Sequence, residues 1–349
     1  MHDVAKLAGV SVATVSRVAN EKDGVSSDIE KRVKRAADEL GVELARTNKP
    51  KIIAFILSNR DMLHPFHSRI LVGAQNHCAA RGWDMLFLSY QYDTSAAWDQ
   101  LNLPLILERR DVVRAAILAG TNSNGFLTAL TQQNIPFSVF GNNVVGEWQP
   151  EKQDVVWTDD IQGAYEGTRH LIALGHRDIW FVGNCEFPWF ERCYSGYRRA
   201  MEGAGLAARL SGLHSGQDLE IGYLATKSIL ARRDSVSAIF AGTDATAIGV
   251  YKALKDCEVR IPEDISVIGQ NDTEADALHP SLTTAREFPE RLGNYLAELA
   301  LNRIADPGLS PQTFTIPTEL VKRESSRIYV PGPAAREKEG SHPPAPHGG

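Results

Sequence analysis

Short apolar runs alternate with amphipathic stretches along most of the chain after Pro50. The runs predicted as strands lie at residues 52–57, 85–88, 115–118, 137–140, 155–158, 179–182, 238–241 and 265–268, and helical spacing is found at 68–81, 161–174, 197–202 and 245–254. Strands that alternate with helices through short connections form parallel sheets covered by helices on both faces. Two such series predict an α/β fold with two lobes, in which a ligand would bind at the carboxyl ends of the strands.

The first twenty residues predict a different unit, two short helices joined by a tight turn. Val4, Leu7 and Ala8 share one helical face, and Gly9 supplies the backbone freedom that a turn needs. Ser11 is a suitable N-cap for the second helix. A pair of short helices in this arrangement can present the second helix to DNA.

The second helix has an outer face of small, hydroxylated and basic side chains, while Val15 and Val18 point inward. Such a face can enter a major groove, contact phosphates and read a base edge. A polar face on a short helix is, however, more often simply solvated. The candidates for DNA contact on this helix are Ser11, Val12, Ala13, Thr14, Ser16, Arg17 and Asn20.

A third helix is predicted to complete this N-terminal headpiece. Ser27 and Glu30 have capping-box spacing, and Gly41 stands where a helix would end. The apolar stripe consists of Ile29, Val33, Ala36, Ala37 and Leu40. The first 51 residues carry ten Lys or Arg against eight Asp or Glu, a balance of +2, whereas the whole chain is at -6. Local positive charge fits a nucleic-acid contact confined to one small domain.

Composition excludes several other classes. With 349 residues and 43% hydrophobic content, the chain can build two or three ordinary cores. It has neither an apolar run of membrane-spanning length nor a signal-peptide segment, so we expect a cytoplasmic protein without membrane contact. The four cysteines and the histidines show no metal-ligand spacing, and we expect no cofactor and no metal site.

The segment D-V-A-K-L-A-G-V-S-V-A-T-V-S-R-V-A-N from Asp3 closely resembles the helix-turn-helix of the LacI/GalR family of bacterial transcription regulators. Two later segments, I-P-E-D-I-S-V-I-G-Q-N-D-T from Ile261 and H-P-S-L-T-T-A-R from His279, resemble the same family. The resemblance implies a helix-turn-helix headpiece at residues 1–48 and a periplasmic-binding-protein-like core at 49–330. Residues 51–158 and 286–312 would form the proximal lobe, and 159–285 and 313–330 the distal lobe. The aperiodic residues 331–349 are expected to be a disordered tail.

The resemblance also implies roles in DNA recognition. Val12, Ala13 and Arg17 would face bases, and the other candidates would hold the backbone of a palindromic operator bound by a homodimer. Relatives carry a longer hinge that enters the minor groove, whereas only residues 42–51 are available here. Arg46 belongs to the remnant of that hinge and is a further candidate for DNA contact. With so short a hinge, we expect little bending at the operator centre.

Polar and aromatic residues just past the predicted strands are candidates for effector binding. Phe66, within a His-Pro-Phe-His segment where relatives have Asn-Pro-Phe-Phe, is the expected stacking platform, and His67 lies nearby. Relatives place an arginine at the position of Cys193, so the register of Arg192 is open. Carboxylates, amides, an arginine and aromatic faces together suit a sugar, although each residue alone could be a cap or turn residue. The candidates are Asn59, His64, Phe66, Asn142, Asp159, Asp160, Trp189, Arg192, Asp244 and Asn271.

Two other classes of protein, an enzyme and a solute-binding protein, fit the sequence less well. An enzyme acting on a sugar could use the paired carboxylates Asp159 and Asp160, but adjacent residues rarely face one substrate, and the sequence lacks the common catalytic signatures. A solute-binding protein is disfavoured by the headpiece and by the lack of a signal peptide. The sequence therefore predicts a homodimeric regulator that acts as a repressor, binds double-stranded operator DNA and responds to a small molecule, with a sugar favoured.

Overall fold

The computed structural model describes residues 1–19, 24–42, 44, 51–61, 64–211 and 217–330. The first two of these ranges form a headpiece of three helices, α1 (His2–Ala8), α2 (Val12–Ala19) and α3 (Ser27–Glu39). Their shared core is small and apolar, and consists of Val4, Ala5, Ala8, Val15, Val18, Val33, Ala36 and Ala37.

Three details of the headpiece differ from the sequence prediction. Leu7 is 47% exposed and Ala5 is buried instead, because the buried stripe of α1 lies about 100° away from Leu7 on the helical wheel. Leu40 is 43% exposed because it follows the last helical residue of α3. The N-cap of α3 is Ser26, whose Oγ accepts a hydrogen bond from the Ile29 amide at 3.4 Å, rather than Ser27.

The core alternates strands and helices, as the apolar runs predicted. In chain order its elements are β1 (Ile52–Ser58), α4 (Pro65–Ala79), β2 (Asp84–Tyr90), β3 (Val113–Gly120), β4 (Asn122–Ser123), α5 (Asn124–Gln132), β5 (Phe137–Phe140), β6 (Val144–Val145), β7 (Asp154–Thr158), α6 (Asp160–Ala173), β8 (Ile179–Val182), α7 (Pro188–Gly203), β9 (Arg209–Ser211), α8 (Asp218–Ala231), β10 (Ala238–Ala241), α9 (Asp244–Asp256), β11 (Ser266–Asn271), β12 (Thr283–Arg286), α10 (Pro289–Ala305), β13 (Thr313–Ile316) and β14 (Glu319–Val321). Helices α4 and α7 begin earlier than predicted because Pro65 and Pro188 occupy their first turns.

The strands form two six-stranded sheets. The sheet of the proximal lobe has the order β13-β7-β5-β3-β1-β2, with every pair parallel. The sheet of the distal lobe has the order β14-β12-β11-β10-β8-β9, and only β14 is antiparallel to its neighbour. A small additional ladder pairs β4 with β6. The two-lobed α/β fold with parallel sheets is therefore confirmed.

The chain passes between the lobes three times, after β7, after β12 and after β13. The prediction that the last passage precedes residue 313 is wrong, because β13 pairs with β7 and so belongs to the proximal sheet. Strand β7 would otherwise leave one edge of this parallel sheet unpaired, and β13 supplies its missing partner. The last passage therefore lies between β13 and β14.

Helices α4 and α10 pack at backbone contact distance in the proximal lobe. A Cβ atom added at Gly73 would lie 2.0 Å from the carbonyl oxygen of Glu290, and one added at Gly293 would lie 2.0 Å from that of Ile70. Each helix thus presents a glycine to the backbone of the other. Because a backbone cannot withdraw as a flexible side chain can, both positions require glycine.

We predict that Gly293→Ala lowers the free energy of unfolding by about 1 to 3 kcal/mol, the range typical of overpacking. Gly203→Ala is the matched control, since Gly203 also lies in a helix but has open space around its Cβ position. There, the better helix propensity of alanine should be neutral or stabilising by up to about 1 kcal/mol. Urea unfolding followed by circular dichroism measures both variants. Equal stability of the two would contradict the close-packing argument.

Candidate functional site

A cavity lies between the two lobes, where the carboxyl ends of the central strands of both sheets meet. Its volume is about 30 Å³. The residues that line it are Arg60, His64, Phe66, His67, Phe140, Asn142, Asn143, Asp160, Trp189, Cys193, Asp218, Gly242, Thr243, Gln270, Asn271 and Glu287. Both lobes contribute to it, as the doubly wound topology predicted.

The proximal wall is aromatic. The rings of Phe66 and Phe140 lie 5.9 Å apart, and Phe66 meets His67 edge to face at 5.6 Å. His67 is almost fully buried, and its Nε2 lies 3.4 Å from Asn143 Nδ2. Burial, aided by the neighbouring His64 and Arg60, lowers the pKa of His67 well below its usual value. The wall is therefore apolar in the middle and uncharged at His67 near neutral pH.

Asn142 is fixed by the segment that leads out of the proximal lobe. Its Oδ1 accepts a hydrogen bond from the Thr158 amide at 3.0 Å, and its Nδ2 donates to the Thr158 carbonyl and hydroxyl oxygens at 2.9 Å. The side chain is thus held in one orientation at the floor of the cavity.

Asp218 is a second carboxylate of the distal lobe that lines the cavity, besides Asp160. Its Oδ2 accepts a hydrogen bond from the Thr243 hydroxyl at 3.0 Å and lies 4.0 Å from His64 Nε2 of the proximal lobe. Burial alone would raise the pKa of Asp218, but His64, Arg60 and Thr243 together hold it below its usual value. Asp218 therefore stays ionised in a largely buried position.

Arg60 of the proximal lobe and Trp189 of the distal lobe make a second contact between the lobes. The guanidinium carbon of Arg60 lies 3.7 Å from the centre of the Trp189 ring. Phe187 stacks on Trp189 at 4.7 Å with its plane tilted by 10°. Phe187, Trp189 and Arg60 thus form one stack, in which both aromatic rings belong to the distal lobe and the arginine belongs to the proximal lobe.

Asp160 is paired with Arg192. The guanidinium donates from Nε to both carboxylate oxygens at 3.0 Å and from Nη2 to Oδ1 at 2.7 Å. Burial would lower the pKa of Arg192, but Asp160 outweighs that effect and raises it. The guanidinium also lies 5.3 Å from the Trp157 ring. The Asp160 carboxylate reaches the cavity with its charge already balanced.

Glu287 lies at the second passage between the lobes. Its carboxyl oxygens accept hydrogen bonds from the Thr158 hydroxyl at 2.7 Å and from the amides of Gln270 and Asn271 at 2.9 Å. Burial, reinforced by the nearby Asp160, raises the pKa of Glu287 to about 7. This side chain joins the first passage of the chain to the distal sheet.

Six of the ten predicted effector residues line the cavity: His64, Phe66, Asn142, Asp160, Trp189 and Asn271. Two others support the backbone elsewhere. Asn59 adopts a φ of 52° and accepts a hydrogen bond from the Tyr92 amide at 2.9 Å. Asp159 caps α6 by accepting from the Gln162 amide at 3.3 Å. Trp189 and Arg192 lie within α7 rather than before it, and Arg192 reaches the cavity only through Asp160.

Asp244 is placed behind the cavity wall rather than in it. Its Oδ1 accepts from the Thr284 hydroxyl at 2.7 Å, and its Oδ2 accepts from the Thr273 amide at 2.8 Å. It is fully buried, and burial raises its pKa to about 7. Thr243, the residue before it, is the N-cap of α9. Asp244 therefore supports the loop after β11 and is not exposed to a ligand.

Several lining residues were not among the predicted candidates. Arg60 and Glu287 follow β1 and β12, and Gln270 lies at the end of β11, so their positions past strand ends were a usable signal. Asp218 begins α8, a helix that the spacing of apolar residues did not indicate. The others are Phe140, Cys193, Gly242 and Thr243, whereas His67 and Asn143 were expected near the candidates Phe66 and Asn142.

The outer face of α2 carries the predicted DNA contacts. Ser11 caps the helix, since its Oγ accepts from the Thr14 amide at 3.1 Å and lies 2.8 Å from the Thr14 hydroxyl. Ala13 and Arg17 are exposed, and Val12, Thr14 and Ser16 are half-buried. Asn20 and Arg46, like most of the short hinge and residues 331–349, lie outside the described residues. Within the described part of the chain, no helix has both the length and the apolar character needed to cross a membrane.

Comparison with known proteins agrees with both parts of the fold. Residues 1–42 match the model of bacterial regulatory proteins of the lacI family, and residues 168–326 match that of a periplasmic binding protein-like domain. The HTH-type transcriptional repressor PurR of Haemophilus influenzae (strain PittEE) is 30% identical, over 94% of this chain and 98% of the relative. The ribose operon repressor of Escherichia coli (strain K12) is also 30% identical, over 93% and 99%.

A solved structure extends the comparison. The complex of the transcriptional regulator CelR with cellobiose superposes with a TM-score of 0.70 at 27% identity, covering 93% of this chain and 99% of that one. With the repressors aligned over almost their entire length, the chain belongs to the LacI family of bacterial transcription regulators, and it is a DNA-binding regulator controlled by a small molecule.

Proposed function

We propose that this protein is a homodimeric cytoplasmic repressor that binds a neutral sugar between its lobes, as a binding protein rather than an enzyme. The headpiece of residues 1–48 would read the operator, and the core of residues 49–330 would dimerise and bind the effector. The observation that carries the proposal is a cavity whose polar groups come from both lobes and whose carboxylates Asp160 and Asp218 each face an arginine. A ligand that touches both lobes stabilises one relative arrangement of them.

The charge balance favours a neutral ligand. Asp160 is paired with Arg192, Asp218 faces Arg60 and His64, and Glu287 has a pKa near 7. A charged ligand would lose its hydration without gaining an unpaired opposite charge. Hydroxyl groups both donate and accept, and the faces of sugar rings pack on aromatic walls such as Phe66 and Phe140. The cellobiose complex of CelR and the name of the ribose operon repressor point to the same class.

The proposed recognition of DNA rests on the exposed face of α2. Arg17 is its exposed basic side chain, and it is long enough to reach a base edge. Ser11 and Thr14 stand at the leading end of the helix, where hydroxyl groups contact phosphates. Sequence would thus be read by Arg17 and by the small apolar Val12 and Ala13.

We propose that the dimer forms through apolar side chains that are exposed to water in the single described chain. Val72 on α4 is 49% exposed, and Leu219 and Leu224 on α8 are 44% and 42% exposed. The first turns of the two helices lie close together, since His64 at the start of α4 approaches Asp218 at the start of α8. A dimer that buries both helices would therefore contact both lobes of each chain. Lobe closure would then change the spacing of the headpieces, which must match half-sites about one helical turn apart.

For sugar binding, we predict that Asp218→Asn weakens affinity by roughly 10- to 100-fold, the range of charge-assisted hydrogen bonds. Asp244→Asn is the matched control, because this carboxyl is buried behind the wall, and an amide of the same size can accept from the Thr273 amide and donate to the Thr284 hydroxyl. A thermal-shift screen that includes cellobiose and D-ribose selects the sugar, and calorimetry gives its affinity. If both variants lost affinity equally, Asp218 would have no direct role. A screen in which only acidic sugars bind would contradict the neutral class.

For DNA recognition, we predict that Arg17→Ala costs about 1 to 3 kcal/mol on an operator selected from random duplexes, with a smaller loss on unrelated DNA. Ser16→Ala should weaken both kinds of binding to a similar degree, as expected for a backbone contact. Gel-shift titrations at fixed salt measure the four affinities. An equal loss on operator and random DNA for Arg17→Ala would refute base reading by this residue.

For the dimer, we predict that Leu224→Glu converts the protein to monomers, because two carboxylates would be buried in the interface. Leu309→Glu is the control, since Leu309 is 36% exposed in the loop between α10 and β13 and belongs to neither α4 nor α8. Size-exclusion chromatography with light scattering reports the mass of each variant. A Leu224→Glu protein that stays dimeric would place the interface elsewhere.

A further inference from the structure

The aromatic face offered by Trp189 at the cavity is already covered by the chain itself. The guanidinium carbon of Arg60 lies 3.7 Å above the ring centre, and the opposite face is stacked on Phe187. The remaining cavity of about 30 Å³ has room for only two or three water molecules, since one needs roughly 10 to 15 Å³ of such space. A sugar ring therefore cannot lie on Trp189 while Arg60 keeps this position.

Polar atoms around this stack remain without a hydrogen-bond partner. Among the described residues, the buried atoms Arg60 Nε, Trp189 Nε1 and Gln270 Oε1 have none. A buried polar atom without a partner is costly, and a polyhydroxylated ligand could supply partners to such atoms. The present arrangement is thus held by stacking and charge, while its hydrogen-bonding capacity is left unused.

The Arg60 contact also joins the lobes. Arg60 follows β1 of the proximal lobe, whereas Trp189 and Asp218 begin α7 and α8 of the distal lobe. Burial lowers the pKa of Arg60, and the attraction of Asp218 opposes that effect. A cation over the face of a tryptophan is the most favourable of the cation–π pairs, and it gains strength when water is excluded. The same contact therefore fills the aromatic site and draws the lobes together.

We propose that Arg60 is an internal competitor of the effector, which must displace the guanidinium from Trp189 in order to stack there. This inference rests on the proposed function, because it concerns regulation at the same cavity. Competition multiplies the intrinsic affinity of a stacking ligand by the fraction of time for which the ring is free of Arg60. From the usual strength of a desolvated cation–π pair, that reduction is about 5- to 30-fold. Arg60 thus sets the effector concentration at which the regulator responds.

The test uses full-length protein without sugar or DNA. All six tryptophans are labelled as 5-fluorotryptophan, and the Trp189 resonance in the ¹⁹F spectrum is assigned by its loss in Trp189→Phe. A dissolved nitroxide radical broadens the resonances of accessible rings, and Trp98, which is 47% exposed, serves as the internal standard. We expect Trp189 to be protected in the wild-type protein and broadened at least threefold more in Arg60→Ala. Arg81→Ala, a change at an exposed arginine at the far end of α4, should leave Trp189 protected.

Two additions keep the test decisive. Methylguanidinium at millimolar concentration should bind over Trp189 in Arg60→Ala and restore its protection, whereas the planar but uncharged urea should not. Arg60→Gln, whose shorter and uncharged side chain makes no cation–π pair, should also expose the ring, and it replaces Arg60→Ala if that variant does not fold. Broadening of Trp189 that is the same in all these proteins, or an Arg60→Ala ring that methylguanidinium does not protect, would overturn the proposal. Because neither readout involves sugar, a failed sugar screen would count against the proposed function alone.

Discussion

The buried carboxyl of Glu287 accepts hydrogen bonds from Thr158 at the first passage between the lobes and from Gln270 and Asn271 at the end of β11. A third passage is tied to the first by the Thr318 hydroxyl, which donates to the Asp159 carbonyl oxygen at 3.1 Å. These bonds fix the distance between the strand ends of the two sheets. Hydrogen bonds in such a buried position are stronger than in water, because the surroundings have a low dielectric constant. The cavity, the approach of His64 to Asp218 and the stack of Arg60 on Trp189 all depend on this junction.

The helices of each lobe are closely packed, because glycines allow neighbouring helices to touch through their backbones. Helix α8 packs on α9 as α4 packs on α10, since added Cβ atoms at Gly222 and Gly249 would lie 2.0 Å from the backbone oxygens of Thr246 and Leu219. Helices that touch through their backbones have little room to slide past each other. Any relative movement of the lobes would therefore take place in the three connecting segments, because hinges between domains lie in such loops.

The sequence predicted the bounds of the strands more accurately than the residues that line the cavity. The runs at 137–140, 179–182 and 238–241 match β5, β8 and β10 residue for residue, because a strand covered on both faces is uniformly apolar. Helix α8 could not be predicted because apolar residues lie on several of its faces, and Asp218 at its start could therefore not be predicted as a lining residue. Arg60 was missed because an arginine after a strand usually points into water. Asp244 was misplaced because the spacing of a motif does not tell which of two adjacent residues, Thr243 or Asp244, lines the cavity.

The pairing of β13 with β7 has a consequence for the order in which the protein is made. The headpiece leaves the ribosome first, and β8 to β12 of the distal sheet follow, but the proximal sheet lacks its edge strand and the covering helix α10 until the last tenth or so of the described chain has been synthesised. Domains fold as their last elements emerge. A chain cut short before α10 would thus carry a helix-turn-helix without the complete lobe that follows it. Assembly of the repressor is thereby tied to completion of its own translation.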